Sequence, residues 1–278
     1  MATSAPPGSP RRLAITLSGP LEDGIVAALG AGDRRLASEL TAVVNRLLLW
    51  DVRIARDGRK GDRLEVIWTP PHAAAPGLPD SGEPVVEALR YASSKLGKVV
   101  AAYRFQEEGA RWPRYFRPDG SELEPRLVDA PISEYEQITS LLRDGRRHKG
   151  VDFKTPVGSP VHAPFDGVVE RRNWNFAGNG NCLDIRDLAT GRHAIFLHLD
   201  VLPKEMAVGR AVKKGQVIAS SGNSGHSFAP HLHYQLEDAA GKVLDPFEVQ
   251  RTETRVIPAA QRPAFESARK KLDAALAT

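Results

Sequence analysis

The sequence predicts an α+β fold class: small N-terminal α+β and β-rich domains, then an antiparallel β domain, then a C-terminal helix. Three observations carry this. Helical apolar spacing is confined to a stretch near residues 37–49 and to residues 259–277. Gly (24) and Pro (21) punctuate many short apolar runs, which favours turns and strands over long helices. From about 145 to 250, strand-like runs alternate with Gly/Pro/Asn turns and carry no convincing amphipathic helix. A length of 278 residues suits two or three domains.

In chain order, residues 1–12 are small, Pro-rich and basic and read as a flexible tail. Residues 13–84 form the first α+β domain with its linker. A strand is expected over Leu13–Leu17, then a helix in which Leu40, Val43, Val44 and Leu47 share a face. The run from Asp51 to Trp68 reads as two strands joined by a Gly-containing turn, and 70–85 as a Pro/Gly/Ala linker. A β-rich domain over 85–140 follows, with strands at Val86–Tyr91, Lys98–Phe105 and around Arg114–Phe116, and a turn at 118–122. The main antiparallel β domain spans 141–250. In the extension 251–278, Phe265, Ala268, Leu272 and Leu276 trace one helical face that packs back on a domain.

Composition narrows the function classes. With 41% hydrophobic and 26% charged residues the chain can bury a core. A net charge of +4 suits an anionic polymer as partner, but an excess this small often reflects solubility alone, and no nucleic-acid partner is expected. The single cysteine, Cys182, excludes an intrachain disulfide and a Cys-rich zinc site. No run of 18 apolar residues is present, so no membrane-spanning helix is expected.

Seven of the eight histidines lie between 148 and 233, and that clustering motivates a metal hypothesis. The first element is HKGVD. Gly150 argues against a helix there, so an extended or turning segment is expected to bring His148 and Asp152 together. The second is HLH: on a strand, His231 and His233 face one side and Leu232 and Tyr234 the other. The third is His198, in the apolar run AIFLHLD, where a lone histidine is more often a core residue bonded to a backbone carbonyl. Taken together, His148, Asp152 and His233 make a three-donor set that leaves a fourth zinc position open. His198 and His231 then stand beside it for proton transfer or oxyanion stabilisation. HExxH is absent, which excludes the helix-borne zincin plan.

These residues resemble a family. RRHKGVDFKTPVGSPVHAPFDGVV, FLHLD and VKKGQVIASSGNSGHSFAPHLHYQL, over roughly 143–248, are similar to the LytM/lysostaphin-type peptidases of the M23 class. The resemblance implies a small antiparallel β fold with a groove over the metal, Zn2+ on His148, Asp152 and His233, and catalytic His198 and His231. Three departures stand out: Phe196 where Tyr is common, Ala229 where Gly is common, and an Asn-rich loop over 171–184. None removes a ligand; the loop bears on substrate preference. The segment from Leu47 to Trp68 and DAPISEYEQITS also resemble Gram-negative multidomain murein endopeptidases. That implies a periplasmic enzyme cutting D-Ala–diaminopimelate cross-links of peptidoglycan. Such relatives carry an N-terminal signal or anchor. The first twenty residues offer only Leu13–Leu17 as an apolar run, so a trimmed leader is expected.

The implied mechanism uses His198 or His231 to accept the water's proton and the other, with zinc, to stabilise the oxyanion. Gly222 to Gly225 should form a tight turn at the groove, either a plain β-turn or a binding element. Trp174 and Asn181 read better as surface-loop residues than as substrate contacts, and His72, His162, His193 and His226 as non-ligands. Latency imposed by the residues ahead of the peptidase part is a further expectation. The alternative is a non-catalytic LytM-like regulator of a cell-wall amidase; such relatives typically lose ligands, and all are present here. A biotinyl or lipoyl carrier is disfavoured because no lysine motif stands between its two halves.

Overall fold

The computed structural model describes residues 9–71, 82–142 and 148–277. The expected tail lies largely outside these residues, as do most of the 70–85 linker and His72. The chain divides into two compact units, residues 1–124 with 255–278, and residues 125–254.

The first unit opens with β1 (Arg11–Thr16), α1 (Leu21–Leu29) and α2 (Arg34–Leu48). In α2 the buried Ala37, Leu40, Val44, Leu47 and Leu48 fall at intervals of three and four, the spacing of a one-sided helix. After the short α3 (Ile54–Asp57) come β2 (Arg63–Thr69), β3 (Val85–Ser93), β4 (Lys98–Phe105) and β5 (Arg114–Phe116). They build a five-stranded sheet in sequence order, with every pair antiparallel. Alternation along β4 divides the core. Val100 and Ala102 join the cluster with Leu40, Val44 and Leu47 of α2, while Ala101 and Tyr103 join that of the C-terminal helix, Arg262–Ala277. That helix inserts Phe265 edge-on to Phe105 and Phe116, at 5.5 and 5.9 Å between centroids.

Two expectations change. Residues 51–68 hold one strand, not two, because 54–57 turn helically. Polar side chains close this segment locally: Asp57 accepts from Arg53 N and binds Arg56 and Lys95, and Asp62 accepts from Arg59 N, Ser94 and Tyr91. The boundary expected near residue 84 falls between β2 and β3, which pair along their whole length in one sheet.

The second unit contains β6 (Arg126–Leu127), β7 (Gln137–Ser140), β8 (Val151–Lys154), β9 (Pro160–His162), β10 (Gly167–Arg172), the one-turn α4 (Phe176–Asn179) and β11 (Asn181–Asp187). It continues with β12 (His193–Leu199), β13 (Ala211–Val212), β14 (Val217–Ser220), β15 (His231–Glu237), β16 (Val243–Leu244), the one-turn α5 (Pro246–Val249) and β17 (Thr252–Glu253). The main sheet runs β13-β10-β11-β12-β15-β8-β7, with β16 on β15; β14 pairs β9 and β17 pairs β6. One sheet face is apolar: Phe153, Phe196 and Tyr234 are fully buried, with Phe196 and Tyr234 stacked at 5.6 Å. The other face carries the chemistry. Among the described residues no helix is long and apolar enough to cross a membrane.

Candidate metal centre and cleft

Strand alternation delivers the first groups. On β15, Leu232, Tyr234 and Leu236 enter the core, so His231, His233 and Gln235 face the other way. On β8, Val151 and Phe153 are buried while Asp152 lies directly across from His233 in the ladder. His148 precedes β8, and no helix forms there. Its Nε2 lies 3.1 Å from Asp152 Oδ1 and 3.0 Å from His233 Nδ1, and His233 Nδ1 lies 2.9 Å from the same carboxylate oxygen. These three residues form a group of potential metal donors. Gly150 is required between them, since a Cβ there would meet the Tyr234 carbonyl and the His233 ring.

The protonation pattern points the donors inward. His148 Nδ1 donates to the Leu141 carbonyl at 3.1 Å and sits 3.0 Å from Ser140 Oγ. That fixes the proton on Nδ1 and turns the Nε2 lone pair toward its partners. Burial pushes the Asp152 carboxyl up, but its close contacts with the His148 and His233 imidazoles outweigh it and hold the group well below the usual carboxylate range. Three lone-pair atoms 2.9–3.1 Å apart match the donor spacing of about 3.3 Å expected around tetrahedral zinc with ~2.0 Å bonds. The donor set therefore fits zinc.

His198 reaches the same face by a different route. Alternation with Ala194 and Phe196 would send it into the core. Instead, Leu197 and His198 together oppose the single residue Cys182, because the β11–β12 register shifts between Asn181 and Leu183. His198 takes φ 62° at this bulge, and the kink turns its ring to 4.8 Å from that of His231. Its Nδ1 donates to the Ser224 carbonyl at 2.8 Å. Burial pushes its pKa down to about 4, with the charges of His231 and His233 adding to that push. His231 Nδ1 donates to the Ala229 carbonyl at 2.8 Å, and its Nε2 faces Asp152 at 3.8 Å. Both rings thus present Nε2 lone pairs beside the donor group.

An open cleft of about 560 Å³ adjoins the site. His148, His233, Ile195, Leu197, Gln235 and Glu237 line it, together with Lys149, Arg171, Trp174, Asn175 and Asn179. Trp174, expected on the surface, is thus a cleft residue. Asn181 works as a brace: its Nδ2 donates to the Asp200 carbonyl and its backbone N–H to Ser224 Oγ. The turn at 222–225 rests against this loop, with Gly225 packed on the Gly180 backbone at φ 73°. Of the remaining described histidines, His193 pairs with Asp184, His226 lies edge-on to Phe228, and His162 lines a separate hollow.

Residues 146–246 match the model of peptidase family M23. The chain carries a peptidase family M23 domain. It is 30% identical over 263 residues to peptidoglycan DD-endopeptidase ShyA of Vibrio cholerae, covering 90% of this chain and 55% of that protein. An uncharacterized metalloprotease of Haemophilus influenzae is 29% identical over 243 residues, 84% of this chain and 48% of that protein. The chain thus spans about half the length of these relatives. Among solved structures, Csd3 of Helicobacter pylori is similar over 96% of this chain and 70% of that chain, at 21% identity and TM-score 0.45.

Proposed function

We propose that this chain is a zinc-dependent endopeptidase that hydrolyses peptide cross-links of bacterial peptidoglycan, in the periplasm or cell envelope. The observation that carries the reading is the convergence of His148 Nε2, Asp152 Oδ1 and His233 Nδ1 beside two imidazoles that are not part of that group. The family match and the peptidoglycan DD-endopeptidase activity for which the Vibrio cholerae relative is named support the substrate class.

In this reading His148, Asp152 and His233 hold the metal. Zinc bound there supplies a Lewis acid and brings a water pKa toward about 7. The two imidazoles handle protons. Each has its Nδ1–H committed to a carbonyl, Ser224 for His198 and Ala229 for His231, so each ring keeps its Nε2 lone pair aimed into the site. One, neutral, accepts the attacking water's proton on Nε2 and passes it to the leaving amine; the other hydrogen-bonds the developing oxyanion only as the imidazolium, with a proton on Nε2 as well. His198 enters the cycle neutral, because burial disfavours its charged form.

Digesting purified sacculi with the zinc-loaded chain and weighing the released muropeptides tests this reading. Monomers from opened cross-links, lost on chelation and regained with zinc, are expected; sacculi left intact by the loaded protein would reject it. Latency imposed by the first unit is a finer part of the proposal. The whole chain should then digest more slowly than residues 125–254 once that fragment is shown to be folded, and equal rates count against it.

A further inference from the structure

The cleft holds a cationic anchor that the proton-transfer chemistry does not use. A row of ladder partners runs across four strands beneath it: Gln235 on β15, Ile195 on β12, Asp184 on β11 and Arg171 on β10. Arg171 joins the row through a second bulge. The β10–β11 register shifts between Val169 and Arg171, leaving Glu170 as the extra residue. Without that insertion Arg171 would share the buried face of Val169.

The guanidinium is held on two sides. Its Nε donates to Asp184 Oδ2 at 2.8 Å, and its Cζ lies over the Trp174 ring, 4.5 Å from the centroid. Asp184 is fully buried and also binds His193 Nδ1 at 2.9 Å. A carboxylate this enclosed needs both partners, so the arginine is pinned from below and stacked from the side. Arg171 remains half exposed and lines the cleft, and its two terminal amino groups take no protein partner among the described residues. Two parallel N–H donors with fixed orientation are the geometry that grips a carboxylate in bidentate fashion. Lys149 adds a second positive charge to the cleft. Its one other acid outside the donor group, Glu237, is engaged by Gln235 Nε2 at 2.6 Å.

We infer that Arg171 is a specificity-determining residue that binds a carboxylate of the substrate peptide. The inference rests on the endopeptidase reading above and names what the cleft selects. β10 stands three strand spacings, about 14 Å, from β15. The contact therefore falls away from the scissile bond, about four α-linked residues along an extended peptide at ~3.4 Å each, and fewer where a link runs through a side chain. In a cross-linked stem peptide, the α-carboxylate of the γ-linked glutamyl residue meets that description.

Two synthetic cross-linked stem dimers provide the test, one with this carboxylate free and one with it as the carboxamide. Turnover and calorimetric Kd are measured for both on the whole zinc-loaded chain. Wild type should favour the free carboxylate by about tenfold in kcat/KM, the size of one charge-assisted contact. Arg171→Gln should bring the ratio to about one by losing only the carboxylate substrate's advantage, and Arg171→Lys should keep part of it. An unchanged ratio in Arg171→Gln, with cleavage intact, overturns the inference and leaves the peptidase reading standing. If neither dimer is cut but the Kd preference is present and depends on Arg171, the carboxylate site holds and the endopeptidase reading fails.

Discussion

His198 sits in a left-handed backbone conformation that a non-glycine residue adopts at a cost of order 1–3 kcal/mol, and the bulge there turns a core position into a site position. This is why alternation in AIFLHLD could not place it: the apolar neighbours argued for a buried structural histidine, and one inserted residue reverses its face. His148, Asp152 and His233 were more legible. HLH needs only the period of a strand, and Gly150 excludes the helix that would otherwise compete. Ser140 left no local signal, and Arg171 and Ser224 stood in a loop and a turn that the sequence marked without marking their roles, since each acts through a contact set by register. If the ligand assignment holds, His148→Ala, Asp152→Ala and His233→Ala each lose bound zinc and activity together, as read by elemental analysis. His198→Ala and His231→Ala instead retain zinc while turnover falls about 10²–10⁴-fold; wild-type zinc content in a ligand variant would refute the set. In the first unit, Asp62 titrates with folding. Burial raises its pKa, but bonds from Ser94, Tyr91 and Arg59 win and lower it to about 2. A carboxyl depressed from 3.8 contributes stability above that value and loses it as pH falls through about 2. Urea midpoints of the first unit should therefore drop between pH 4 and 2, and Asp62→Asn should flatten that dependence while lowering the midpoint at pH 7.

At the scale of elements, the sheets followed from period-two patterning, and β3, β4, β5 and α2 lie within a few residues of their expected spans. The expected strand over 51–57 did not form. Its apolar positions suit either state, and the outcome rests on Asp57 and Asp62 finding donors in the turn and in the β3–β4 connection. Two loops meet by backbone contact beside the site, where Gly225 lies on Gly180. Gly225→Ala combines a positive φ with a Cβ driven into that backbone, and should destabilise by more than about 1 kcal/mol. Because Ser224, the preceding residue, holds His198 through its carbonyl, the same substitution should lower turnover more than zinc content. Equal melting temperatures and rates for the variant and wild type would show that the contact is slack.

At the scale of the molecule, the stripe on the C-terminal helix announced that it packs but not against what. Amphipathicity fixes a buried face, and its target is set by which sheet lacks a cover. That sheet is the N-terminal one, where Ile67, Ala88, Tyr103 and Phe116 meet Phe265 and Leu276. Deleting residues 259–278 should therefore lower the melting temperature of the first unit and make the protein aggregate, while zinc still binds the second unit with unchanged stoichiometry. Loss of zinc binding on the same deletion would contradict the division into two units. The return of the last helix also sets a timetable for synthesis. A ribosome delivers the five-stranded sheet before the second unit, yet the helix that covers the sheet's outer face emerges only after that unit. The zinc-site unit is complete before that helix, so the nascent chain carries a finished metal centre while the sheet made ahead of it still exposes an apolar surface for which a chaperone can compete.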